Sequence, residues 1–186
     1  MDFSEEELSY YTDEKYAHEI GNIQKTVDSY AKKYDTKIPI AVAGGIDTPQ
    51  KVKHVLNLGV QAVQVGTRFV TTEECDADIR YKQAYIKACK EDIVIVKSPV
   101  GMPGRAIKNT MLESVLRGEN IPPRKCYHCL AKCDPGKIPY CITKALIEAA
   151  KGNTEEGLLF CGANAYRAEK IETVKEVIAN LMQECV

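Results

Sequence analysis

Two short stretches of the sequence carry residue types that can do chemistry. In IPIAVAGGIDTPQKVKHVLNLGVQAVQVGTRF, Ile38 to Phe69, two apolar runs each end in a glycine turn, Gly44–Gly45 after the first and Gly66–Thr67 after the second. Glycine lets a backbone approach a ligand closely and leaves amide N–H groups able to point at it. A helix starting just after such a turn adds positive potential, and a phosphate suits that setting. Either turn alone is also what a tight strand-to-helix connection requires; the pair together favours a ligand. The dinucleotide fingerprint G-x-G-x-x-G is absent, which weakens a Rossmann reading.

The second stretch, KCYHCLAKCDPGKIPYC, sets Cys126, Cys129, Cys133 and Cys141 at the spacing C-x2-C-x3-C-x7-C. Four thiolates this close can form a tetrahedral zinc site or hold an iron–sulfur cluster, with His128 as an alternative ligand. The usual structural zinc pattern separates its two ligand pairs by a longer run, so packed free thiols are the competing reading. Cys75, Cys89, Cys161 and Cys185 are scattered and receive no role.

The elements that must position the glycine turns are legible around them. Ile38 to Ala43 reads as a short buried strand, and Gln61 to Val65 as a second,. Between them Thr48 caps a helix with Pro49 at its first position, Val52, Val55 and Leu56 form its buried stripe, and Gly59 stops it,. Strand, helix and strand in such close succession predict a βαβ unit of a parallel sheet. Its two glycine turns then lie on one rim, about one strand spacing of roughly 4.8 Å apart.

Upstream, Ser4 with Glu7 forms a capping box, and Tyr16 to Tyr34 is a polar helix with Ile20, Ile23 and Val27 on one side,. Downstream, the pattern predicts a polar helix over Asp76 to Lys90 and a short strand over Ile93 to Lys97. A proline- and glycine-bearing loop, SPVGMPGRA, then leads into a helix near Arg105 to Arg117,. Two closing helices follow, one carrying Ile142, Ala145, Leu146 and Ala149, the other Ile171, Val174, Val177, Ile178 and Leu181,.

Composition bounds the function. With 186 residues and 45% apolar content, the chain can bury a core of ordinary domain size,. The 25 basic and 26 acidic residues balance to a net charge of -1, so no basic face points to nucleic acid or an anionic membrane,. No apolar run approaches the roughly 18 residues of a membrane span. The opening MDFSEEELSYY lacks the basic and apolar regions of a signal peptide,. A cytoplasmic location is the expectation, with eight cysteines as thiols or metal ligands rather than disulfides.

AVAGGI, VQVGTRF some twenty residues on, RAIKN, and a late GANAY together resemble the C-terminal part of the nitronate monooxygenase family, formerly 2-nitropropane dioxygenases, which includes flavin-dependent enoyl-acyl-carrier-protein reductases. The resemblance implies an α/β fold: the last strands of an FMN-binding (β/α)8 barrel, with an inserted smaller segment and C-terminal helices. It implies that Gly44, Gly45, Gly66 and Thr67 hold the FMN phosphate and that Gln64 lies near the flavin or ribityl chain. Asn164 of GANAY would approach the flavin or cap a helix. Arg68 and Arg105 are candidates for an electrostatic role or for structural forks to carbonyls and carboxylates. The family's glycine-rich histidine segment is missing, and His18, His54 and His128 match no such position, so no catalytic acid or base is assigned.

On this reading residues 1–73 carry the barrel strands and phosphate turns, 74–155 an inserted substrate-side segment with the cysteines, and 156–186 a closing helix. The expected function is oxidation of alkyl nitronates with O2. FMN-dependent enoyl-acyl-carrier-protein reduction is the alternative, and a non-enzymatic phosphate- or metal-binding module, an inactive fragment, is the reading from another class. The expected partners are a small-molecule substrate and further copies of the chain in a homo-oligomer. The chain alone is expected to bind FMN weakly and to lack turnover.

Overall fold

The chain is described by a computed structural model at residues 13–123, 125–126, 128–131 and 133–185. The capping box expected at Ser4 and Glu7 lies outside these residues. The described residues divide into two units: one is Thr67–Val174, and the other joins residues 13–66 with residues 175–185.

In the second of these units, helix α1 spans Asp13–Tyr34. It is polar on most sides, and of its expected apolar line only Ile20 is buried, while Ile23 is exposed. Strand β1 (Ala41–Ala43) and strand β2 (Ala62–Gln64) pair in parallel, with helix α2 (Pro49–Asn57) between them, which is the expected βαβ unit. Val52 and Val55 are buried, and Gly59, at φ +90°, lies just past the helix end. Gln24 on α1 donates to Leu58 O at 2.6 Å and so holds that end of α2.

Both strands are shorter than expected, and they are not buried: the outer residues of each are exposed and only Val42 and Val63 are half-buried. A sheet of two three-residue strands leaves most side chains uncovered whatever their polarity, since burial depends on what packs against a strand. Helix α7 (Val174–Met182) buries Val177 and Leu181 and leaves Ile178 exposed.

The Thr67–Val174 unit begins with helix α3 (Thr67–Val70) and helix α4 (Ile79–Lys87), the latter capped by Asp78, whose carboxylate accepts from Arg80 N–H at 2.8 Å. Strand β3 (Ile93–Lys97) pairs antiparallel with strand β4 (Pro103–Ile107). This corrects the loop and helix expected from SPVGMPGRA: Pro103 opens the strand, where no ladder N–H is demanded of it, and Arg105 sits in β4 rather than in a helix. Gly104 is required by packing, because a Cβ there would stand 2.4 Å from the Phe160 ring.

Helix α5 (Thr110–Leu116) then starts at Asn109, whose Oδ1 accepts from Leu112 N–H at 2.9 Å, and helix α6 (Ile142–Ala150) follows the cysteine segment. Val96, Ala106, Met111, Leu112, Tyr140, Ala145 and Leu158 form one core cluster; Tyr85, Ile107, Ala149, Leu159 and Ala165 belong to a second. The unit's two ends are stitched together. Thr72 bridges to Glu172, Glu73 N–H donates to Glu172 O at 2.9 Å, and the Glu74 carboxylate accepts from Val174 N–H at 2.9 Å.

Candidate functional site

The turn after β1 places two successive residues in the left-handed region, Gly44 at φ +102° and Gly45 at φ +67°, where an L side chain is strained. Helix α2 begins close by, with Thr48 Oγ1 accepting from Lys51 N–H at 3.3 Å and Pro49 in the first turn. One turn into that helix, Lys51 Nζ reaches back to donate to Gly45 O at 2.9 Å and to Asp47 Oδ1 at 2.9 Å. Asp47 is buried, so its charge is held next to the turn with Lys51 as an ion-pair partner.

Ala43 stands opposite Gln64 in the parallel register. The Gly44–Gly45 turn and Gly66 therefore leave the same end of the strand pair. Gly44, Gly45, Gln64 and Gly66 are all exposed, and no backbone carbonyl among the described residues takes the amide of Gly45 or Gly66. A Cβ on Gly44, Gly45 or Gly66 would meet no atom within 4 Å. At Gly44 and Gly45 the backbone conformation accounts for glycine. Gly66 is not in the left-handed region, so neither its backbone nor the packing around it calls for the missing side chain.

A model of the nitronate monooxygenase family matches residues 11–184. The chain belongs to the nitronate monooxygenase family. Nitronate monooxygenase from Pseudomonas aeruginosa is 28% identical over 151 residues, which are 79% of this chain and 39% of that protein. FabK from Thermotoga maritima superposes with TM-score 0.62 at 27% identity, over 80% of this chain and 44% of that one. The enoyl reductase domain of MlnA, from the macrolactin biosynthesis cluster of Bacillus amyloliquefaciens, superposes with TM-score 0.63 over 86% of this chain and 51% of that domain. Its 15% identity makes the likeness one of fold alone. This nitronate monooxygenase family chain spans less than half the length of the curated relatives it matches.

In the Thr67–Val174 unit, Thr67 Oγ1 accepts from Gly162 N–H at 3.0 Å, and a Cβ on Gly162 would stand 2.5 Å from that oxygen. Reading the sequence singled out Asn164 of GANAY and passed over Gly162. The only signal available was that glycine opens the motif. Asn164 precedes a short 3-10 turn, Ala165–Arg167, and its side chain makes no capping bond. Arg68 Nη2 pairs with the Glu172 carboxylate at 3.1 Å. Arg105 lies half-buried in β4. His18, His54 and His128 are all exposed, on α1, on α2 and in the cysteine segment.

The zinc or iron–sulfur expectation is not supported in this family member. Among the described residues no three His, Cys, Asp or Glu side chains are gathered as one ion requires. Cys126, Cys129, Cys133 and Cys141 are free thiols. Cys126 Sγ accepts from His128 N–H at 3.4 Å, while exposed Cys129 turns to Thr143 Oγ1 at 3.1 Å. The Cys133 thiol is pushed up by desolvation first and then by the nearby Cys126, Cys141 and Cys129. With Met111, Ile121 and Tyr140, these thiols line a cavity of about 880 Å³. Elemental analysis of purified protein is expected to find no stoichiometric zinc or iron. Cys126→Ser is expected to move the melting temperature by no more than about 4 °C, the equivalent of roughly 1 kcal/mol. One metal per chain, lost in that variant, would reinstate the ligand reading.

Proposed function

We propose that the Gly44–Gly45 turn and Gly66 cradle the phosphate of FMN, with the hydroxyl of Thr67, the next residue in the chain, as a further donor and Gln64 beside the flavin or its ribityl chain. On this reading β1 and β2 are the last strands of a (β/α)8 barrel, and the whole protein oxidises alkyl nitronates with O2. The observation that carries the proposal is Gly66. It has an ordinary backbone conformation and open space where a Cβ would stand, so its lack of a side chain fits close approach by a group outside the chain.

The other residues fit the same group. The amides of Gly45 and Gly66 are uncommitted among the described backbone bonds, and charge-assisted bonds from such amides are among the stronger ones a backbone makes. Gly162 N–H occupies an acceptor position on Thr67 Oγ1, which leaves the hydroxyl proton to be given to an anion. When bound, FMN supplies the hydride- and electron-accepting chemistry; the chain's own residues bind and orient it. No catalytic acid or base is assigned. The partners on this reading are a small-molecule substrate and a second copy of the chain.

A second reading, FMN-dependent enoyl-acyl-carrier-protein reduction, is kept from the sequence resemblance, since the family that the motifs AVAGGI and VQVGTRF resemble includes such reductases. Both readings require the same cradle. Fluorescence titration of the full chain with FMN and with riboflavin, which lacks the phosphate, is expected to show FMN bound at least about tenfold more tightly, the equivalent of one charge-assisted contact. Equal affinities, or no binding of either flavin, would overturn the cradle. Turnover of alkyl nitronates, against NADH with an enoyl thioester, separates the two substrates.

A further inference from the structure

We infer that Lys51 is a positioning residue that makes the Gly44–Gly45 turn select phosphate-bearing flavin over its phosphate-free form. The inference rests on the FMN reading and names the group that creates the preference.

Two left-handed glycines in succession have no side chains of their own to hold the peptides of the turn. Lys51 restrains the peptide after Gly45. Its ammonium lies 2.9 Å from Gly45 O, and in a trans peptide the carbonyl and the next amide point in opposite directions. Holding Gly45 O toward α2 therefore fixes the Ile46 amide away from it. It also keeps a carbonyl oxygen, which would repel a phosphate, from rotating out over the turn.

The second effect is on charge. Asp47 is 8% exposed and two residues from Gly45, and a carboxylate near the turn opposes an anion bound there. Lys51 Nζ sits 2.9 Å from Asp47 Oδ1. With 42% of the lysine side chain exposed, the pair contributes little to global stability. Its effect is local to the turn, on its shape and on its sign. An ammonium has three donors, and two are spent on these contacts.

The test measures FMN and riboflavin dissociation constants for the full chain, Lys51→Met, Lys51→Arg and the double variant Asp47→Asn/Lys51→Met, together with 15N–1H spectra of Gly45 and Ile46. Lys51→Met is expected to weaken FMN about tenfold or more while changing riboflavin by less than about twofold, the pattern of a lost charge-linked contact. Lys51→Arg should keep most of the preference, since a guanidinium can also span a carbonyl and a carboxylate. The double variant should recover part of it, and the Gly45 and Ile46 resonances should shift in Lys51→Met. FMN affinity unchanged in Lys51→Met, or FMN and riboflavin weakened equally, overturns the inference while leaving the flavin reading intact. Absence of any FMN preference in the unmodified chain removes both. Should Lys51→Met fail to fold, Lys51→Gln takes its place, and an unchanged FMN-to-riboflavin ratio in that variant overturns the role of the charge.

Discussion

Gly66→Val is expected to lower FMN affinity by a factor of about 100 or more, equivalent to roughly 3 kcal/mol of charge-assisted contacts made impossible by a side chain over the cradle. The variant should melt close to the unmodified protein. Gly66 is outside the left-handed region and a Cβ there meets nothing within 4 Å, so the substitution strains neither the backbone nor any neighbour. That separation makes Gly66 a cleaner probe than Gly44, where φ +102° adds a conformational penalty on the order of 1–2 kcal/mol to any loss of binding. Gly66→Ala should give an intermediate loss. FMN titration beside a thermal melt reads both quantities, and a Gly66→Val protein that keeps its flavin affinity removes the cradle.

Gly157→Ala should destabilise the Thr67–Val174 unit by about 3 kcal/mol or more, through overpacking against atoms that cannot yield. A Cβ at 157 would lie 2.6 Å from Ala149 Cα and 2.7 Å from Ala149 N, both backbone of α6. The segment has no freedom to retreat: Asn109 Nδ2 donates to Gly157 O at 2.7 Å, Leu158 N–H donates to Ala145 O at 3.0 Å, and Leu158 and Leu159 are fully buried. For a chain of this length the melting temperature should fall by roughly 6–12 °C. Gly136→Ala is the control, since its Cβ would meet only the Asp134 carboxylate, at 3.5 Å. Equal melting of the two variants would show that α6 and the Gly157 segment can part.

What could be read from the sequence was local. Thr48, Pro49 and Gly59 marked both ends of α2 because capping and helix termination depend on a few adjacent residues,. The βαβ unit followed from two apolar runs with a helix between them. Strand β4 was hidden because its identity depends on pairing with β3, and prolines and glycines dominate its first half. The exposure of Ala41 and Ala43 was equally hidden, since a run of apolar residues does not say what covers it. Within the candidate site, Gly44, Gly45 and Gly66 were visible by type. The reason Gly66 differs from the other two, the Lys51 contact to Gly45 O, and the Gly162 bond to Thr67 each needed coordinates. The cysteine spacing suggested a shared ion, whereas Cys126 and Cys129 take separate partners.

The stitched ends of the Thr67–Val174 unit bear on how the chain closes on itself. Arg68 and Glu172, 104 residues apart, are in contact, so the chain leaves and returns at nearly one place. Closing a flexible loop of that length costs on the order of 4 kcal/mol in chain entropy, growing only with the logarithm of its length. Once this unit has folded, that cost has been met by its own contacts. The residues from Lys175 onward are then tethered near Gly66 at a high effective concentration, as if by a short linker. Lengthening or shortening a surface loop inside the unit should therefore leave the recruitment of α7 almost unchanged, whereas breaking the Arg68–Glu172 and Glu74–Val174 stitches would return the full entropy of the loop to that step.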